Sequence, residues 1–177
     1  MAQDRRNFNC IRTWEIYLAP SITQRKLIRS FLSVDNLFGG HFHKFLKSFE
    51  SRMLVTIPMH KVRLGAPEEE ETLFFFIWSS FLMYFLFPAD FDSSPIPFFD
   101  HKLSLHRRSR IMSFYNECIK RHIYSHGAGE KMFLSKNPSF SPKVDSFLKT
   151  FPDARFIYLA RDPREMIASE LKWFYYA

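Results

Sequence analysis

The 177-residue chain carries 25 Lys and Arg against 18 Asp and Glu, giving a formal net charge of +7 and a pI near 9.5, and 46% of it is hydrophobic. A chain of this length makes one compact domain that buries about 70% of its unfolded surface, and its basic balance favours anionic partners. Cys10 and Cys118 form no metal or redox spacing, which excludes a zinc finger and a dithiol enzyme, and no signal pattern opens the chain, so cytoplasmic residence is the default expectation.

The elements come in chain order. Ser21 and Gln24 form a capping box for a helix running to about Asp35; Gly39-Gly40 breaks it, and a second helix continues to about Glu50. His41 and His43 in "GGHFHKF" are the closest of the seven histidines and lack a third ligand nearby, so they read as solvent-facing or capping residues and no metal is expected. Glu68 to Glu71 make a favourable start for a helix over Leu73 to Phe87, an apolar run too short to cross a bilayer comfortably and therefore a buried helix. Pro88 to Asp100 is a loop rich in Pro, Ser and Asp. "HRRSR" at 106 to 110 opens a helix whose apolar set is Ile111, Phe114, Tyr115, Cys118, Ile119 and Ile123; without base-reading arrays or interleaved aromatics, the basic cluster is a solvated face rather than a nucleic-acid surface.

The last third has a different rhythm. Met132 to Ser135 is a short strand stopped by "KNP", Ser141-Pro142 offers a cap and first-turn proline, and Val144, Phe147, Leu148 and Phe151 succeed one another at helical spacing until "FPDA". Phe156 to Ala160 then has the length and aromatic character of a strand covered on both faces, and Asp162-Pro163 supplies the cap and first position of a helix from about Arg164. This β-α-β-α order over 131–175 implies a right-handed crossover with Lys136 and Arg161 at one sheet edge, where a helix N-terminus would face an anion.

The string "FLSKNPSFSPKVDSFLKTFPDARFIYLARDPREMIAS" closely resembles the 3′-phosphate-binding half of sulfotransferases that use 3′-phosphoadenosine 5′-phosphosulfate (PAPS), members of the P-loop nucleotide-binding superfamily. "TWEIYLAPSITQRK" and "GAPEEEETLF" resemble more degenerate segments of the bacterial-type branch. The resemblance implies an α/β fold, an incomplete P-loop-type parallel sheet in mostly helical surroundings. One partial domain over 1–177 would divide into a helical acceptor side, 1–125, and the 3′-phosphate half, 131–175. It further implies Arg161 and Ser169 as 3′-phosphate ligands, Lys136 beside the transferred group, and Glu15 as the acid that takes the acceptor's proton, its plain alternative being a helix-side glutamate. The donor would be PAPS, with no metal, and the acceptor a small molecule or glycan bearing a hydroxyl or amine.

One element of the family pattern is missing. A strand, a glycine- and serine-rich loop and a helix should cradle the 5′-phosphosulfate, and none of the five glycines occupies such a loop; they read as turns. That points to a fragment truncated at both ends and inactive alone, resident in the cytoplasm, binding neither membrane nor nucleic acid. The alternative is a noncatalytic remnant that keeps the 3′-phosphate pocket, or that pairs an exposed sheet edge with a partner chain or a second copy.

Overall fold

The computed structural model describes residues 7–53, 63–87, 94–127 and 131–176, and it is mostly helical around a two-stranded parallel sheet. β1 (Phe8–Asn9) and β2 (Met132–Phe133) pair in register, Phe8 with Met132 and Asn9 with Phe133, so the N-terminal stretch lies beside the start of the last third. A parallel pair needs a crossover, and the whole helical region supplies it.

Five segments enclose the core: α1 (Thr13–Tyr17), a 3₁₀ turn (Glu70–Ile77), α5 (Phe99–Lys102), α6 (Leu105–Ser125) and α7 (Val144–Thr150). α6 is the axis. Ser104 caps it by accepting from Arg107 N, and Ile111, Tyr115, Cys118 and Ile119 recur at helical spacing and are buried. Tyr115 stacks on Phe74 at 5.7 Å and meets Phe140 and Phe147 edge-on at 5.5 and 5.4 Å, the offset geometries that ring quadrupoles favour. As expected, Arg107 and Arg110 of the basic cluster are solvent-facing, whereas Arg108 turns back to donate to the Asp100 carbonyl at 2.8 Å.

The expected helix starting after Ser21 is α2 (Ile22–Leu37), with Gln24 N donating to Ser21 Oγ. Gly39 and Gly40 then hold φ of 89° and 65°, left-handed values that favour glycine, and α3 (His41–Met53) begins. Its start is capped by Asp35, whose two oxygens accept from Phe42 N and His43 N at 2.9 Å, while His41 and His43 face solvent.

Four expectations need correction. Leu73 to Phe87 is not one helix: the 3₁₀ turn ends at Trp78 (φ 52°), and α4 (Met83–Leu86) comes after it. The reason lies in the acidic leader, because Glu71 is buried and takes Phe81 N at 2.5 Å and Ser80 Oγ at 3.2 Å, folding the chain back across the carboxylate. The expected loop holds a 3₁₀ turn (Ile96–Phe98) and α5, since Ile96 and Phe99 are core residues; residues 88–93 of that loop lie outside the described residues. Asn137, not Ser141, caps the 3₁₀ turn (Pro138–Lys143) that leads into α7, its Oδ1 accepting from Ser139 N at 3.0 Å.

The largest correction concerns Phe156 to Ala160, which forms no strand. The described sheet contains β1 and β2 alone, and a strand without a neighbour has no partner for its N–H and C=O groups. Ile157, Tyr158 and Leu159 are exposed, and among the described residues no crossover brings Lys136 and Arg161 to a common sheet edge. α8 (Pro163–Tyr176) does begin as the Asp-Pro signal implies, with Arg164 N donating to Asp162 Oδ1 at 2.8 Å.

Candidate functional site

Glu15 is the third residue of α1, where its Oε2 accepts from Arg12 N at 3.1 Å and helps to start the helix. The backbone of 12–14 is clamped to the segment from 63 to 67, with Thr13 N on Ala66 O and Trp14 N on Leu64 O at 3.1 Å. This clamp pushes Glu15 inward until it is fully buried. A buried carboxylate requires partners, and two other helices supply them.

The end of α6 supplies His122 and, at the capping position just after the helix, His126, whose N–H still donates to the His122 carbonyl at 3.2 Å, so the two rings stand side by side. His126 Nε2 lies 2.8 Å from Glu15 Oε1, and His122 Nδ1 lies 3.9 Å from Oε2. From α2 come Arg25 and Arg29, four residues apart. Arg29 donates to Glu15 Oε1 and to the Ser125 carbonyl and also meets His126 Nε2. Arg25, fully buried, donates to the Glu15 carbonyl at 3.0 Å and the Leu18 carbonyl at 3.3 Å, and its Nη1 stands 3.4 Å from His122 Nδ1.

These contacts set the charge states. Burial pushes the Glu15 carboxyl up, but the hydrogen bonds from His126 and Arg29 outweigh it and hold the pKa at about 2, so Glu15 is ionised. Burial drives His122 down to about 3 against the pull of Glu15, so this imidazole is neutral. Its Nε2 faces Asn9 Oδ1 at 3.0 Å; that oxygen only accepts, which puts the proton on Nε2 and leaves a lone pair on Nδ1.

Lys136 occupies a different place. It lies just after β2, its side chain is 80% exposed, and it pairs with Glu69. The deeply placed cation of this region is Lys143 instead, which meets Glu71 Oε2 at 3.3 Å and the Ser139 carbonyl at 3.2 Å, with its ammonium 4.8 Å from the Phe74 ring centre. Burial lowers the Lys143 pKa while Glu71 opposes the shift. Next to them Glu70, taking Ser135 Oγ at 2.6 Å, is pushed up to about 8 by burial and remains largely protonated at neutral pH.

Arg161 lies in the irregular link before α8 and Ser169 in the second turn of that helix, both exposed. Among the described residues no ion pair engages Arg161, and no hydrogen bond or ion pair joins any two of Glu15, Lys136, Arg161 and Ser169. The structure therefore brings together a set that sequence reading missed. The four-residue spacings Arg25/Arg29 and His122/His126 were its visible signal, but nothing local says that the two faces would close on the same carboxylate.

No helix among the described residues is long and apolar enough to cross a membrane. Comparison with curated proteins finds no match, and none is found among solved structures. Residues 89–176 do match the family model described as the sulfotransferase family, a stretch that holds α5 to α8, β2, Lys136, Arg161 and Ser169 but not Glu15. Through that stretch the chain belongs to the sulfotransferase family.

Proposed function

We propose that the chain serves transfer of a sulfuryl group from PAPS to a hydroxyl or amine of a small-molecule or glycan acceptor in the cytoplasm. The supporting observation is the family match over 89–176 together with the state of Arg161 inside it, an accessible guanidinium without an ion pair among the described residues, just ahead of the capped start of α8. A forked, permanently charged donor at a helix start suits a phosphate, and Ser169 adds a neutral hydroxyl further along the helix. Lys136, a mobile cation after β2, would neutralise charge that builds on the transferred group, and residues 20–125 would select the acceptor.

Glu15 belongs to this reading as the source of basicity. Buried and ionised, it acts through His126, the half-exposed imidazole against it, in the way a carboxylate orients a histidine that takes a proton. Among the described residues no glycine loop cradles the 5′-phosphosulfate: Gly39, Gly40 and Gly127 are turn residues with positive φ, and Gly129 lies outside those residues. On this reading the chain alone holds the 3′ end of the nucleotide and turns over little or nothing.

Calorimetry at low salt with adenosine 3′,5′-bisphosphate tests it. Wild type should bind, Arg161→Ala should weaken binding at least tenfold, about 1.4 kcal/mol, and Ser169→Ala should weaken it less. Absence of binding to a folded chain would sink the proposal. A second reading is favoured by the exposed Ile157, Tyr158 and Leu159: a noncatalytic module that holds a 3′-phosphate while pairing this segment with another polypeptide or a second copy. Bisphosphate binding joined to concentration-dependent association through 157–159 would select that reading, since little or no turnover by the chain alone is expected of both.

A further inference from the structure

Glu15, His122 and His126 each offer one ligand atom, and these atoms all lie within 4.8 Å of one another. The two imidazoles come from the last turn of α6 and the capping residue after it, with ring centres 4.4 Å apart, and α1 sets the carboxylate against them. Two nitrogens and a carboxylate oxygen are the donors of three-ligand zinc sites, which keep a fourth position open. A second feature points the same way: Asn9 Oδ1 fixes the His122 proton on Nε2, so Nδ1 presents its lone pair to the cluster, the outer-shell arrangement that orients ligating histidines.

We propose that Glu15, His122 and His126 bind a divalent first-row transition metal ion, zinc by its donor set, and that Arg29 is an internal cation that closes the site when no ion is bound. Arg29 lies against both Glu15 Oε1 and His126 Nε2, the positions an ion would claim. Its side chain is 26% exposed on α2, so it can rotate toward water, whereas fully buried Arg25 stays. Exchange therefore replaces one positive charge by two beside a single carboxylate. With Arg25 still 3.4 Å from His122 Nδ1, the ion binds reversibly rather than as a structural staple. The inference goes beyond sulfuryl transfer, because an ion on Glu15 occupies the carboxylate that would otherwise orient His126.

The test is calorimetric titration of the full chain with zinc chloride, paralleled by visible absorption of the cobalt(II) form. Wild type should take up one zinc per chain and give the intense cobalt bands of low coordination. His126→Gln, a half-exposed position that leaves Glu15 and Arg29 paired, should weaken binding at least tenfold; Arg29→Met should tighten it by a similar factor. The His41→Ala/His43→Ala chain, altered on exposed α3, should bind like wild type. No stoichiometric uptake by wild type, undiminished binding in His126→Gln, or binding that Arg29→Met leaves unchanged or weakens would overturn the proposal. None of these readouts uses nucleotide, so failure here and failure of bisphosphate binding are separate results.

Discussion

Phe147 and Tyr158 stand eleven residues apart in apolar runs of the same family-matched stretch, yet Phe147 is 6% exposed and Tyr158 84%. The difference lies in what each element needs from outside itself. α7 closes its own backbone hydrogen bonds, so it requires only an apolar surface for one face, and the rings of Tyr115, Phe140 and Phe151 provide it. The run from 156 to 160 would need a neighbouring strand for its backbone and cover on two faces. Phe156 reaches Phe147 at 6.3 Å, and the three residues after it face solvent.

The two lysines of this stretch repeat the contrast with charge. Lys143 and Glu71 form a buried pair with side-chain exposures of 1% and 4%, while Lys136 pairs with Glu69 at 80% and 30%. Lys143→Ala should be the most damaging change, about 3–5 kcal/mol by denaturant unfolding, because Glu71 is left buried without its cation. Phe147→Ala should cost a similar about 3–5 kcal/mol through the cavity left among the rings. A loss under about 1 kcal/mol in either variant would mean that this side of the molecule is not closed as described.

Glu70 sharpens the comparison through pH. Its carboxyl is pushed from an ordinary 4.5 to about 8 by burial, so the folded chain holds a proton that the unfolded chain gives up. The unfolded state therefore binds fewer protons between those values, and the contribution, complete below about pH 4.5, is lost as pH rises toward 8, at up to about 1.4 kcal/mol per pH unit. Comparison of urea midpoints for wild type and Glu70→Gln across that window should show the decline in wild type flattened in the variant. Parallel curves would place Glu70 in contact with water.

The smallest effects belong to the open side. Lys136→Ala should change stability by less than about 1 kcal/mol, as exposed pairs do, and Tyr158→Ala by less than about 0.5 kcal/mol. If Tyr158→Ala costs as much as Phe147→Ala, residues 156–160 are paired in solution, and the protein concentration at which that cost vanishes would tell self-pairing from folding.

Periodicity and punctuation alone determined a good deal of this protein: the amphipathic α6, the Ser21 start of α2, the glycine break at 39 and 40, and the Asp162-Pro163 entry to α8. The order of short motifs from Met132 to Ser169 also carried the family. These are features that neighbours along the chain impose on one another. Tertiary structure decided the rest, because the deciding partners were distant. Glu71 broke the expected helix by taking a backbone N–H ten residues on and a lysine further still, and the lack of an adjacent strand among the described residues left 156–160 outside the sheet. Glu15, alone in its stretch of sequence, became the buried centre of two arginines and two histidines because α2 and α6 close over it, an encounter that no local pattern encodes.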